Sequence, residues 1–182
     1  MNNQEPKNST KEIITRIAKQ IIKESGYHPP RFFIELPNGR VAQVQMGADE
    51  KAEMIDALGR VVKQSKTNRY YSVFDAKMVY PEDIKKHARK IIKEAKEQPN
   101  ASNTLSRLVQ LTNKPSSNPV AKDVLIISTY DKSIGMDKDL YEYKRTKNGS
   151  TTFKQIFNKE SKYGHTYDPF NVWTPHQINL GK

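Results

Sequence analysis

The stretch RFFIELPNGRVAQVQM, residues 31–46, decides the first part of the fold. It holds two apolar, β-prone runs, 31–36 and 40–46, which are separated by Pro37, Asn38 and Gly39. Proline fixes φ, asparagine tolerates unusual backbone angles and glycine adopts a positive φ without strain, so this tripeptide suits a tight turn. The segment therefore predicts a β-hairpin.

An amphipathic helix is predicted on each side of this hairpin. Before it, residues 10–25 carry apolar side chains at helical spacing, with Thr10 as the expected N-cap and Gly26 as the left-handed end. After it, Asp49 is expected to cap a second helix. The apolar side of that helix consists of Met54, Ile55, Leu58, Val61 and Val62.

The middle of the chain predicts a strand, a helix and a long connection. Residues 68–80 are rich in aromatic and β-branched residues, which favour a strand. Pro81 is expected to open a third helix that ends before Pro99, because proline suits the first helical turn and cannot continue a helix. Residues 98–121 are rich in Asn, Pro and Ser around the short apolar piece 105–111, so we expect a connection with a helical turn or two.

The last predicted elements are three strands. Residues 123–130 form a continuous apolar run, which suits a strand that is covered on both faces. Residues 140–146 and 151–156 flank Asn148 and Gly149, a strong hairpin signal. The order αββαβα, connection, βββ predicts a single α+β domain with a mostly antiparallel sheet and about three helices.

This domain is expected to span residues 10–156, after a disordered N-terminus at 1–9. Residues 157–182 show no clear period and contain four aromatic residues, Tyr163, Tyr167, Phe170 and Trp173. Because four exposed rings would form an apolar patch, this C-terminal tail is expected to dock irregularly on the domain.

The composition indicates a basic protein that prefers polyanionic partners. The 182 residues include 31 Lys and Arg against 20 Asp and Glu, a formal net charge of +11. Such an excess favours nucleic acid. The absence of cysteine removes disulfides, thiolate metal sites and cysteine nucleophiles. No run approaches the ~20 apolar residues of a membrane span and no export signal is apparent, so we expect a cytoplasmic protein without a membrane partner.

Four short strings lie within residues 26–130: GYHPP at 26–30, Lys51 with Leu58-Gly59, VFDAKMV at 73–79, and Asn118-Pro119 leading into Asp123-Val124-Leu125. Together they resemble an uncharacterised family of small microbial proteins that is often found in mobile-element or phage-like settings. In that family the third string has a Glu-Ala-Trp core, whereas this chain has Asp75-Ala76-Lys77. The resemblance implies a compact domain, carries no named activity and transfers no catalytic residue.

The third predicted helix concentrates basic residues on one face. At about 100° per residue, six of them lie within about 140°, while the apolar residues lie on the other side. This basic ridge consists of Lys85, Lys86, Arg89, Lys90, Lys93 and Lys96. Such a ridge predicts contacts with nucleic-acid phosphates, which weaken as salt rises. The alternative is an ordinary solvated helix face.

Aromatic and basic residues also interleave in the predicted hairpin at 140–156. A two-stranded ribbon can enter a major groove, and its rings can stack on unpaired bases. The alternative is that Tyr141 and Tyr143 pack on the sheet, because side chains two residues apart share a face. The candidate nucleic-acid residues here are Tyr143, Lys144, Arg145, Lys147 and Lys154.

Catalytic chemistry has less support from the sequence. His28, Asp75 and Asp131 lie near predicted strand ends and are the candidates for acid–base catalysis, although His28 also suits a turn before two prolines. The four histidines lack metal-ligand spacing, and neither a phosphate-binding loop nor a serine-nucleophile motif occurs. We therefore predict no metal and no cofactor.

Three functions follow from these observations. The leading hypothesis is a non-enzymatic, basic protein that binds the phosphate backbone of nucleic acid. The alternative is an accessory factor of a microbe or virus that binds another protein or self-associates through its aromatic tail and apolar faces. The third is a small hydrolase or nuclease that uses His28 with Asp75 or Asp131.

Overall fold

The structure is a computed structural model that describes residues 9–44, 51–97, 100–133 and 135–156. The described strands form one six-stranded sheet in the order β2-β1-β3-β4-β5-β6, and every neighbouring pair is antiparallel. This confirms the predicted α+β class and sheet. The elements are α1 (Thr10–Ser25), β1 (Arg31–Glu35), β2 (Val41–Val44), α2 (Lys51–Ser65), β3 (Arg69–Met78), α3 (Pro81–Glu97), α4 (Ala101–Gln110), a 3₁₀ turn (Pro115–Ser117), β4 (Lys122–Asp131), β5 (Gly135–Arg145) and β6 (Thr151–Ile156).

Helix α1 is capped one residue earlier than predicted. Ser9, not Thr10, is the N-cap: its hydroxyl accepts the Glu12 N–H at 3.3 Å, and the Glu12 carboxylate accepts the Ser9 N–H at 2.7 Å. Each side chain thus satisfies a backbone donor that the first turn leaves open. Gly26 ends the helix at φ +86°, as predicted.

The connection at 98–121 contains more helix than the sequence predicted. Helix α4 has ten residues, and Asn100 caps it by accepting the Asn103 N–H at 3.0 Å. Leu111 and Asn118, which follow this helix, are buried, so the connection packs on the body of the protein. The described residues therefore hold four α-helices instead of about three. None of the helices in these ranges is long and apolar enough to cross a membrane.

Strand β5 begins at Gly135, five residues before its predicted start at 140. Its first part pairs with β4 from Asp131 opposite Gly135 onward. The sequence did not predict this part of the strand, because the polar residues 137–139 interrupt the apolar pattern. The predicted Asp49 cap, Pro99, the N-terminus up to residue 8 and the tail at 157–182 lie outside the described residues.

The sheet is covered by different helices on its two faces. On one side, here the α1 face, Ile14, Ala18 and Ile22 of α1 pack in a cluster with apolar residues of β3, β4 and β5. On the other side, the α2 face, Leu58 and Val62 pack with residues of β1, β3 and β4. The central strand β4 is buried on both faces, as its continuous apolar run predicted.

Candidate nucleic-acid interface

The six side chains of the basic ridge are all exposed along α3. The helix starts at Pro81, carries Glu82 and Asp83 in its first turn and has Lys96 in its last. This charge order matches the helix dipole, which favours acidic residues at the start and basic residues at the end. At 1.5 Å per residue, the ridge from Lys85 to Lys96 is about 16 Å long.

Few ion pairs within the described ranges neutralise the ridge. Lys90 is the one ridge residue with an ion pair there, at 3.8 Å from Glu94. Glu94 makes its shorter contact, 2.8 Å, with Arg107 of α4, and this hydrogen bond lowers the pKa of Glu94. The other five ridge side chains have no ion pair among the described residues, so the ridge keeps its positive charge.

A lysine outside the ridge ties α3 to the sheet. The Lys122 Nζ atom lies 2.7 Å from Asp83 in the first turn of α3 and 3.6 Å from Glu142 of β5. It also lies 5.0 Å from the ring centre of Tyr80. The hydrogen bond to Asp83 and the charge of Glu142 raise the pKa of Lys122. Lys122 therefore holds the start of the ridge helix against β4 and β5.

Two hairpin lysines lie on the same side of the sheet as this bridge. Lys154 is paired with Glu142 across β5 and β6, and Lys144 is two residues from Glu142, so all three share the α2 face. Lys144 is well exposed, with its Nζ atom 3.9 Å from Glu142. Lys147 is exposed in the turn. The first turn of α3 and these hairpin lysines thus meet on one face of the sheet.

Tyr143 does not belong to this interface, contrary to the sequence-based expectation. It points to the α1 face, is buried, and its hydroxyl donates to Asp75 Oδ2 at 3.1 Å. Burial and the Asp75 carboxylate raise the pKa of Tyr143 well above its usual value. A buried ring under α1 cannot stack on a base, so the alternative of sheet packing is the right one.

Arg145 also has a structural contact. Its guanidinium donates to the Lys23 carbonyl at 3.4 Å, at the C-terminal end of α1. A Cβ atom added to Gly26 would lie 2.4 Å from Arg145 Nη1, so a glycine there leaves room for this side chain. Arg145 therefore connects the hairpin to α1, on the face opposite to Lys144.

The structure places His28 next to Asp75 but keeps Asp131 far from Asp75. His28 is buried; its carbonyl accepts the Asp75 N–H at 3.4 Å, and burial lowers the pKa of its imidazole. Asp131 pairs with Arg69 at 2.6 Å and lies opposite it in the β3–β4 register. Because Arg69 and Asp75 are six positions apart on β3, Asp131 is about 20 Å from Asp75, too far for shared acid–base chemistry.

The sequence did not predict the ion pairs of Lys122 and Arg107, because no local pattern identifies partners that lie on other elements. Only the register of β4 with β5, and the packing of α3 with α4, place them beside Glu142 and Glu94. Within the described residues, no three His, Asp or Glu side chains are arranged to hold a metal ion.

Comparison with known proteins gave no match, either to a family model, to a curated protein or to a solved structure. The function is therefore inferred from the geometry and charge of this chain.

Proposed function

We propose that this protein is a cytoplasmic, non-enzymatic nucleic-acid-binding protein whose main contact is the basic ridge of α3. The observation that carries this proposal is a band of six exposed cations along α3, of which five have no ion pair among the described residues. Lys144, Lys147 and Lys154 extend the positive surface on the hairpin. Tyr143 is not part of it, because its ring is buried on the α1 face, and Arg145 points to that same face.

The ridge suits the charge density of a nucleic acid. A duplex presents one negative charge per ~1.7 Å of its axis, so a row about 16 Å long faces several phosphates at once. Each phosphate that a lysine or arginine neutralises releases bound counterions, and the affinity then falls linearly on a log–log plot against salt. The proposal therefore predicts strong binding at low salt and a steep decline.

The ridge can be tested with a fourfold charge reversal, Lys86→Glu, Arg89→Glu, Lys90→Glu and Lys93→Glu. The binding of labelled duplex DNA, duplex RNA and single strands is measured by fluorescence anisotropy across a salt series. If all four side chains neutralise phosphates, the slope of log K against log salt for duplex DNA becomes shallower by about 3.6.

A matched control keeps the net charge of this variant but spares the ridge. It carries Lys63→Glu, Lys66→Glu, Lys114→Glu and Lys132→Glu, four exposed positions away from α3 and the hairpin. Loss of binding in the ridge variant alone supports the proposal. Equal losses in both variants indicate a dependence on net charge alone, and no binding of the folded wild-type protein at low salt rejects nucleic acid as the partner.

A protein partner is the second candidate, because α4 exposes apolar side chains. Leu105 is 65% exposed and Val109 is 54% exposed, one helical turn apart, and Ile92 of α3 is 47% exposed. An apolar contact of this kind loses little affinity as salt rises, unlike phosphate binding. Self-association that survives high salt and disappears in a Leu105→Ser and Val109→Ser variant would favour this candidate.

A further inference from the structure

The sheet ends at β6, which has one strand neighbour among the described residues. In the turn before it, the Thr146 N–H donates to the Ser150 carbonyl at 2.8 Å. Hydrogen-bonded and non-hydrogen-bonded pairs alternate along an antiparallel ladder, so the backbone groups of Thr151, Phe153 and Gln155 point away from β5. These are the groups that an added strand would pair with.

A groove lies on the α1 face over β5, one strand in from this edge. It has a volume of about 350 Å³ and lies between one flank of α1 and the residues Asp139 and Tyr141 of β5. The Lys19 ammonium lies 3.6 Å from the ring centre of Tyr141 and 5.7 Å from that of Phe153. The groove therefore has an aromatic floor on the sheet and a cationic wall on α1.

The groove is positively charged because its acidic residues are already engaged. The Glu12 carboxylate accepts the Ser9 N–H in the cap of α1, and Asp139 lies 2.7 Å from Lys11. Arg16, Lys19 and Lys23 have no ion pair among the described residues. Their spacing of three and four residues places them along one flank of the helix.

We propose that this groove binds an extended acidic peptide, which adds to β6 as an antiparallel or parallel strand. Main-chain hydrogen bonds to Phe153 and Gln155 would supply the register, and every second side chain of the peptide would point to the α1 face. Acidic residues at these positions reach Arg16 and Lys23. A second copy of this chain fits less well, because pairing β6 with β6 would bring two cationic α1 flanks together.

The probe is a fluorescein-labelled, capped octapeptide of alternating Glu and Thr, titrated with the full chain and followed by anisotropy. A peptide of alternating Lys and Thr is the charge control, and a Glu–Thr peptide with two central prolines is the backbone control. Binding is expected for the first peptide alone. Equal binding of the Lys–Thr or the proline peptide would overturn the proposal.

Two variants of the protein localise the contact. Arg16→Glu with Lys23→Glu is expected to weaken peptide binding about tenfold, as the loss of two ion pairs implies, whereas Lys63→Glu with Lys114→Glu leaves it unchanged. Gln155→Pro removes an outward N–H on an edge strand, where proline is tolerated, and is expected to abolish binding in a protein that circular dichroism shows to be folded. If Gln155→Pro does not fold, the Arg16→Glu and Lys23→Glu variant still tests whether the peptide binds at this groove.

The remaining outcomes contradict the proposal. A salt-insensitive dimer in sedimentation, which Gln155→Pro abolishes while the peptide does not bind, assigns the edge to a second copy. A loss of duplex DNA affinity in the Arg16→Glu and Lys23→Glu variant, again without peptide binding, assigns the groove to nucleic acid.

Discussion

Replacing Tyr143 by phenylalanine separates a structural tyrosine from a base-stacking one. The hydroxyl of this buried residue donates to Asp75 Oδ2 at 3.1 Å, and Phe153 lies against its ring, 5.7 Å between centres. Tyr143→Phe keeps the ring and removes only the hydrogen bond. A hydrogen bond to a charged group contributes about 1.5–3 kcal/mol, and the half-buried Asp75 places the loss near the lower end, about 1–2 kcal/mol.

Urea unfolding followed by circular dichroism measures this loss, together with the affinity for duplex and single-stranded DNA. In a chain of this size, about 1 kcal/mol lowers Tm by ~2–4 °C. DNA affinity is expected to stay at the wild-type value. Tyr27→Phe is the matched control, because Tyr27 is 58% exposed and its loss of a hydroxyl should change the free energy of unfolding little.

A different result would refute the placement of Tyr143. If Tyr143→Phe is as stable as the wild type, and Tyr143→Leu binds single strands several-fold more weakly without loss of stability, the ring faces the ligand. A buried aromatic that is truncated in this way should instead destabilise the fold.

Three further perturbations follow from the contacts. Burial lowers the pKa of His28 below its unfolded value of about 6.5, so the unfolded state takes up the proton first as the pH falls. The free energy of unfolding therefore decreases below about pH 6.5. In urea titrations at several pH values, His28→Gln should remove up to about 1.4 kcal/mol per pH unit from this slope. Gly26→Ala should lower the free energy of unfolding by about 1–2 kcal/mol, because alanine is strained at the left-handed φ of this position. If this backbone strain dominates over the clash with Arg145, thermal unfolding should show the same loss in an Arg145→Ala background. Lys122→Met leaves the carboxylates of Asp83 and Glu142 without their shared cation. It should lower the free energy of unfolding by about 1–2 kcal/mol at pH 8 and by less at pH 4. Equal losses at both pH values would contradict the bridge.

Much of the fold could be predicted from the sequence, because local rules decide these elements. The turn at Pro37 to Gly39, the helix end at Gly26 and the hairpin at Asn148 and Gly149 each need a positive φ that glycine supplies. Helix α4 was predicted as only a helical turn or two, because its Asn, Ser and Thr residues resemble a loop and the burial of Leu111 depends on tertiary packing. The N-cap of α1 was misplaced because serine and threonine are adjacent and both can cap.

The candidate site was only half visible in the sequence. Periodicity places the six ridge residues on one exposed face of α3, because the apolar and basic arcs do not overlap. The role of the hairpin depends on which face each residue takes, and this is set by the register with β4 and by where α1 lies. That register turns Tyr143 inward and Lys144 outward, a distinction that the alternation alone leaves open.

The distribution of charge is the reason why we propose the ridge as a contact surface. Every acidic side chain in the described strands has a partner: Lys11, Arg69, Lys77 and Lys122 hold six of the carboxylates, and Tyr143 donates to the seventh, Asp75. The described strands contain eight Lys and Arg against seven Asp and Glu, so most of the surplus of the +11 chain lies outside the sheet. In the described residues, exposed cations are concentrated on α3, on the hairpin at Lys144, Lys147 and Lys154, and on the flank of α1 that carries Arg16 and Lys23. Cations that are not neutralised by neighbours attract a polyanion over the Debye length of about 8–10 Å, so α3 with the hairpin lysines, and the flank of α1, are surfaces from which charge can direct binding.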